Sequence, residues 1–275
     1  GVAPGPVSSL GWPTAGARRS TEGSATASSL RSRVRLCLPV ARASRLNADA
    51  RRCATWHGAP APTFLSIPPR AGERYLVHGF STVPMGSMGM THAANPEQVT
   101  ANRRQFAAAL RVKPESLTVV GAVHGSEIAR VDRPVSLVKD VDGLVTDQPG
   151  VALFATFADC YPLIVYDPLN RALGLAHAGW RGTEAEIARK LVAALKREYG
   201  SVAGELRVGI GPGICGDCYE VGPEFAGRFP PEVLKAGEGD RLLLNLVEAN
   251  RLQFLAAGVL PRRIRALEFC TFESD

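Results

Sequence analysis

Ala158-Asp-Cys-Tyr-Pro-Leu-Ile-Val-Tyr-Asp-Pro168, followed by Ala172-Leu-Gly-Leu-Ala-His-Ala-Gly-Trp-Arg-Gly-Thr183, is the stretch that decides the fold of this chain. Its two apolar runs flank Asp167-Pro168-Leu169-Asn170 and read as strands joined by a turn. An antiparallel hairpin returns its chain, so Cys160 at the start of the first strand and His177 at the end of the second come to the same end of a sheet. A thiol and an imidazole brought together in this way are raw material for a metal site or a nucleophilic one.

Outward from the hairpin, strands and helices mix without strict alternation. Leu117 to Val123 is a β-branched, apolar run that predicts a buried strand ending in His124-Gly125-Ser126-Glu127. Asp142-Gly143 reads as a turn, Leu144 to Asp147 as a short strand, and Val151 to Ala158 as the strand feeding Cys160. Thr183 to Tyr199 predicts an amphipathic helix. Thr183 stands as cap, Glu186 at capping-box spacing, and Ile187, Leu191, Ala194 and Leu195 as the buried stripe.

Nearer the N-terminus, Tyr75 to Thr82 reads as a strand, and Asn95 caps a helix whose apolar face is Val99, Phe106 and Leu110. Towards the C-terminus, Leu206 to Ile210 is a strand leading into the tight loop Gly211-Pro212-Gly213. Val247 to Ala257 is a helix, and Ile264 to Phe269 a final strand. The fold class expected is α+β: one domain with mixed sheets and helices outside.

Composition narrows the function classes. The net charge of +6 is misleading as an average: residues 1–70 hold ten Arg, no Lys and two acids, so that segment carries +8 and the remainder −2. The basic balance belongs to the leader, which argues against nucleic acid as a partner of the body. No run of 18 apolar residues appears, so no membrane span is expected. Residues 1–63 are rich in Ala, Ser, Arg, Pro and Gly and poor in large apolar residues. They are expected to be a disordered extension, with the folded domain at 64–275. An organelle transit peptide is the sharper alternative for that leader.

Six cysteines over 275 residues are too sparse for a secreted disulfide scaffold, so mostly free thiols and a reducing, cytoplasmic setting are expected. Cys215-x-x-Cys218 resembles half a zinc ribbon or a redox pair. No second CxxC completes a ribbon, so no structural zinc is expected there. Cys53 and His57 receive no role.

Predicted strand ends supply His78, His124, Cys160 and His177, the places where sites on a mixed sheet tend to be built. A His₂Cys set with an open fourth position would make a catalytic zinc. The competing reading makes Cys160 a nucleophile, with His124 or His177 as base and Asp159 or Glu127 as orienter. Spacing alone leaves both open.

The strings VHG at 123–125, ADCYPLIVYDP at 158–168, AHAGWRGT at 176–183 and GPGICGDCYEVG at 211–222 resemble the YfiH-type family. HGFST at 78–82, ANRRQF at 101–106 and EANRLQFLAAGV at 248–259 extend the resemblance over residues 64–275. That family is named variously laccase-domain or multicopper polyphenol oxidase, peptidoglycan editing factor and purine nucleoside phosphorylase.

The resemblance implies a single-domain α/β/β/α sandwich and a zinc ion held by His124, Cys160 and His177, with copper the less favoured metal. It implies phosphorolysis of adenosine, inosine, guanosine and methylthioadenosine to base and ribose 1-phosphate, with adenosine deaminase side activity. Purine nucleosides and phosphate are thus the expected partners. Cys160, His78 as proton donor or hydrogen-bond partner lining the pocket, and Arg181 as phosphate or site-fixing residue are the expected catalytic positions. Peptidoglycan-precursor editing, copper phenol oxidation and non-catalytic binding on the same fold are the alternatives.

Two departures from the pattern stand out. Val83-Pro84-Met85-Gly86-Ser87-Met88-Gly89 replaces the Arg and Gly-Gly loop that often follows HGFST, which implies a different substrate preference. Relatives usually continue past Cys270-Thr271 into a short Ser/His-Arg-Arg segment, so a domain clipped at its C-terminus is expected.

Overall fold

The computed structural model describes residues 64–65, 76–91, 93–267 and 269–273. Residues 1–63, with Cys53 and His57, and also His92 lie outside the described residues. In chain order the elements begin with β1 (Phe64–Leu65), β2 (Phe80–Ser81), α1 (Pro96–Ala109) and β3 (Leu117–Gly121). Then come β4 (Ile128–Arg130), β5 (Val138–Lys139), β6 (Gly143–Thr146) and β7 (Ala152–Phe154). The hairpin β8 (Tyr161–Asp167) and β9 (Ala172–Ala178) follows, then α2 (Trp180–Glu184), α3 (Ile187–Tyr199) and β10 (Arg207–Ile210). The chain continues through β11 (Glu220–Val221), β12 (Leu234–Ala236), β13 (Leu242–Leu244), α4 (Leu246–Ala256) and β14 (Ile264–Ala266).

The hairpin lies at the centre of a six-stranded mixed sheet of order β14-β10-β8-β9-β6-β4. β8 pairs with β9 antiparallel from Tyr161↔Ala178 to Asp167↔Ala172, which sets Pro162 opposite His177. Every residue of β8 is buried, as a strand covered on both faces must be. The turn is built by Asp167, whose carboxylate accepts hydrogen bonds from the backbone N–H of Leu169 and Asn170 and from the Asn170 side chain.

Ile187, Leu191, Val192 and Leu195 of α3 and Phe254 of α4 pack with Val145, Leu163, Val165 and Ala176 of the sheet. Fully burying such an aliphatic side chain stabilises by about 1.5–3 kcal/mol. Leu144 of β6 meets Val120 of β3, with Val138 of β5 and Leu153 of β7 packed alongside, and this joins the six-stranded sheet to a second sheet of order β5-β3-β7. Phe106 of α1 packs with Val119 and Phe154 of that sheet and with Met85 and Met88. The layers are therefore helix, sheet, sheet, helix. A small sheet β11-β13-β12 and the β1-β2 pair complete the described structure.

Three local expectations change. The stretch from Leu76 to Gly79 is outside any sheet, and only Phe80–Ser81 pairs, with β1. The helix expected from Thr183 is broken in two. Glu186 sits at φ 60° and starts α3 without a side-chain cap, while Thr183 is buried in α2. Its Oγ1 accepts from Asn250 Nδ2 and its carbonyl accepts from Gln253 Nε2, so two buried amides of α4 hold the break. Asp142-Gly143 is not a free turn: Asp142 is fully buried immediately before β6.

Candidate metal centre

His124 follows β3, Cys160 precedes β8 and His177 lies in β9 paired with Pro162. The structure brings one ligand atom of each within 4.8 Å of the others, so this set could hold a metal ion. The two imidazole rings stand edge to face with centroids 5.0 Å apart, and Phe157 tilts against His177 at 5.3 Å. His177 is buried and His124 exposed, so the set opens to solvent on the His124 side.

Asp142 organises this corner. Its carboxylate accepts the backbone N–H of Val123 at 3.2 Å and of Gly125 at 2.8 Å, bracketing His124. Those bonds hold His124 at φ 60°, a left-handed conformation that costs a β-carbon residue about 1–2 kcal/mol. The same carboxylate stands 3.7 Å from Nδ1 of His177, too far for a hydrogen bond, and that buried Nδ1 makes none. Asp159, next to Cys160, is likewise left-handed at φ 68° and is fixed by Thr271 Oγ1 donating to its carboxylate at 2.7 Å.

Glycines set how closely the loops approach. A β-carbon at Gly179 would lie 2.9 Å from the Cys160 sulfur and 3.4 Å from His124 Cδ2. One at Gly182 would lie 2.7 Å from the carbonyl oxygen of Gly125. The Gly-Trp-Arg-Gly turn thus packs directly on the two ligand-bearing loops. Asp142 reads in the sequence as half of an Asp-Gly turn, and the glycines carry no side chain to mark them, so sequence reasoning gave none of them a role in the site.

Electrostatics separates the two readings of Cys160. Burial, and then the carboxylates of Asp159 and Asp142, push its thiol up to about 11. The isolated thiol is therefore protonated at neutral pH and a poor nucleophile. Burial, and then neighbouring His124, hold His177 below its usual value despite Asp142, leaving it neutral and able to offer a lone pair. A neutral imidazole and a thiol that ionises only beside a cation fit a metal ligand set.

A groove of about 2370 Å³ is lined by His78, His124 and His177 together with Phe80, Phe157 and Pro212. It is wider than one small ligand needs, so its size alone selects nothing. Among the described residues, Cys160 and Arg181 are not in its lining. Arg181 is exposed on α2 and stacks on Trp180 at 4.3 Å, with Arg228 at 4.5 Å from the same ring. Arg181 follows Gly179 by two residues, and it is at Gly179 that the chain passes close against the Cys160 sulfur.

Residues 75–275 match the family model described as multi-copper polyphenol oxidoreductase laccase. The chain belongs to this family. Its relatives include a purine nucleoside phosphorylase of Deinococcus radiodurans, 35% identical over 205 residues, covering 69% of this chain and 78% of that protein. The purine nucleoside phosphorylase YlmD of Geobacillus stearothermophilus is 36% identical over 234 residues, covering 78% of this chain and 85% of the relative.

The solved structure of YlmD from Geobacillus stearothermophilus superposes with a TM-score of 0.64 at 35% identity, covering 69% of this chain and 77% of that one. That of Bacillus licheniformis YfiH, described as a hypothetical protein, gives 0.65 at 29% identity, with 70% and 82% covered. Family membership and the gathered donors together point to a metal cofactor. No helix among the described residues is long and apolar enough to cross a membrane.

Proposed function

We propose that the chain is a zinc-dependent purine nucleoside phosphorylase whose metal is held by His124, Cys160 and His177. The observation that carries the reading is this donor set, two members of which, His124 and His177, line a groove together with His78, in a chain whose relatives bear the phosphorylase name. Two imidazoles and one thiol suit zinc and would also suit a single copper, so the count of histidines is what favours zinc. Five histidines in the sequence are too few for a multicopper cluster. A zinc ion in this set supplies positive charge and Lewis acidity at the reacting groups.

The protein's own groups do the rest. In phosphorolysis the bond from sugar C1′ to purine N9 breaks, its electron pair moves into the ring, and a phosphate oxygen bonds to C1′. We assign to His78 the proton delivered to the purine ring at N7, which lets the base leave uncharged. Arg181, exposed two residues after the Gly179 that packs on the Cys160 sulfur, is the cation assigned to phosphate, and its stacking on Trp180 limits the freedom of its side chain. Asp142 positions His124 and backs His177, and Gly179 lets the chain pass close against the sulfur.

The test is hypoxanthine and ribose 1-phosphate release from inosine by zinc-loaded protein, with and without phosphate. Phosphate-dependent release that disappears in Cys160→Ala is expected. No turnover of any purine nucleoside by metal-loaded protein would overturn the reading. Ammonia release from adenosine reads the deaminase activity in the same assay. Faster cleavage of a muramoyl-peptide precursor than of any nucleoside would favour the editing role.

A further inference from the structure

A second cluster of ligand-type side chains lies outside the set just described. Cys215 and Cys218 sit in the loop after β10, with their sulfurs 3.4 Å apart. The loop is tightly turned: the N–H groups of Cys218 and Tyr219 both donate to the Cys215 carbonyl. Gly213 and Gly216 let it pass where a β-carbon would strike the Tyr161 ring at 2.8 Å and Asn245 at 2.7 Å.

The partner that the sequence alone did not supply is Cys270, which is buried and 55 positions beyond Cys215. Gly213 bridges to Cys270 in parallel, and Thr271 N–H donates to the Gly213 carbonyl. Cys215 N–H in turn donates to the Cys270 sulfur at 3.3 Å, a bond that favours the thiolate. The Glu273 carboxylate completes the group, and one ligand atom from each of the four residues lies within 4.8 Å of the others. Tetrahedral zinc with Zn–S near 2.3 Å sets its sulfurs about 3.8 Å apart, so the observed spacing needs little rearrangement.

We infer that Cys215, Cys218, Cys270 and Glu273 form a second, structural zinc site. It shares no residue with His124, Cys160 and His177. None of its three cysteines is in a disulfide.

The site clasps the segment after β14 onto the glycine loop. Both then bear on the corner beside Cys160. Ile214 N–H donates to the Asp159 carbonyl at 2.9 Å, Thr271 Oγ1 to the Asp159 carboxylate at 2.7 Å, and Tyr161 to the Ile214 carbonyl at 2.7 Å. Zinc here fixes the backbone that aims Cys160.

The deciding experiment uses untagged full chain carrying His124→Ala and Cys160→Ala together, which removes the first donor set and leaves the second intact. The inference thereby stands or falls apart from the phosphorylase reading. Loaded with zinc and dialysed, this variant is expected to retain about one ion per chain. With cobalt(II) in place of zinc it should show an intense sulfur-to-cobalt charge-transfer band. Adding Cys218→Ser, a half-buried position, should release the ion and weaken the band, while far-UV circular dichroism reports that the fold persists. Zinc-free protein from the folded double variant, or a Cys215–Cys218 disulfide that survives in the zinc-loaded chain, would overturn the inference.

Discussion

Cys160 sits with two imidazoles, one of them exposed, beside a broad groove, whereas Cys215, Cys218 and Cys270 sit with a single carboxylate around a tight loop. Asp159 is tied to both places: it precedes Cys160, its carbonyl accepts from Ile214 and its carboxylate from Thr271. The difference lies in what surrounds the sulfur. At the first place a buried carboxylate, Asp142, backs a mixed nitrogen and sulfur set that keeps one side open, as chemistry requires. At the second, three thiols close on one another and leave little room for a substrate, as a structural ion requires.

The strongest way to break this comparison is Cys160→Ala. Phosphorolysis should fall by more than about 100-fold, since losing a ligand exceeds the cost of losing the group behind one. Metal analysis should show one ion fewer per chain, with the thiol-rich site still loaded. If both ions are lost, the two places act as one site and the distinction fails.

Asp142→Asn comes next. It keeps an acceptor for one of the two N–H groups but removes the charge behind His177. Zinc affinity at the mixed set should drop about 10- to 100-fold by chelator competition. Affinity at the thiol set should stay unchanged.

Asp167, at the far end of the hairpin, asks whether the turn matters to either set. Burial alone would raise its carboxyl, but hydrogen bonds that include those from Asn170 and Leu169 hold it below the usual carboxylate value. A depressed folded pKa means stability present above the unfolded carboxylate value and lost as pH falls through the folded one. Asp167→Ala should therefore cost about 1–3 kcal/mol near neutral pH. The gap to the parent should shrink on acidification, as measured by urea unfolding at a series of pH values. Neither metal content should change.

Thr271→Val should have the smallest effect. It cuts the side-chain bond to Asp159, which is exposed and worth about 0.5–1.5 kcal/mol. Turnover should change by less than about tenfold. A larger loss with both ions retained would mean that the link between the two sets, and not either set alone, governs Cys160.

The hairpin was legible because two mostly apolar runs, the seven-residue strands β8 and β9, meet at Asp-Pro-Leu-Asn and leave few other ways to fold. The helix after Asn95 was legible through its cap, whose side chain accepts from Gln98 N–H. The stripe Ile187, Leu191, Ala194 and Leu195 is buried as its period predicts. The break before that stripe was not, because Thr183 and Glu186 mimic a capping box. What opens the helix is a pair of amides on α4, Asn250 and Gln253, far away in the chain.

The sequence by itself determined the central hairpin, the helical periods and the residue types that carry chemistry, since these follow from local pattern and intrinsic reactivity. Only the tertiary structure decided which of them meet. Asp142 looked like a turn residue until three elements closed around it, and Cys215-x-x-Cys218 looked like an incomplete ribbon until Cys270 arrived 55 positions later. Contacts between distant segments depend on how whole layers pack, and no local pattern encodes the partner that packing brings.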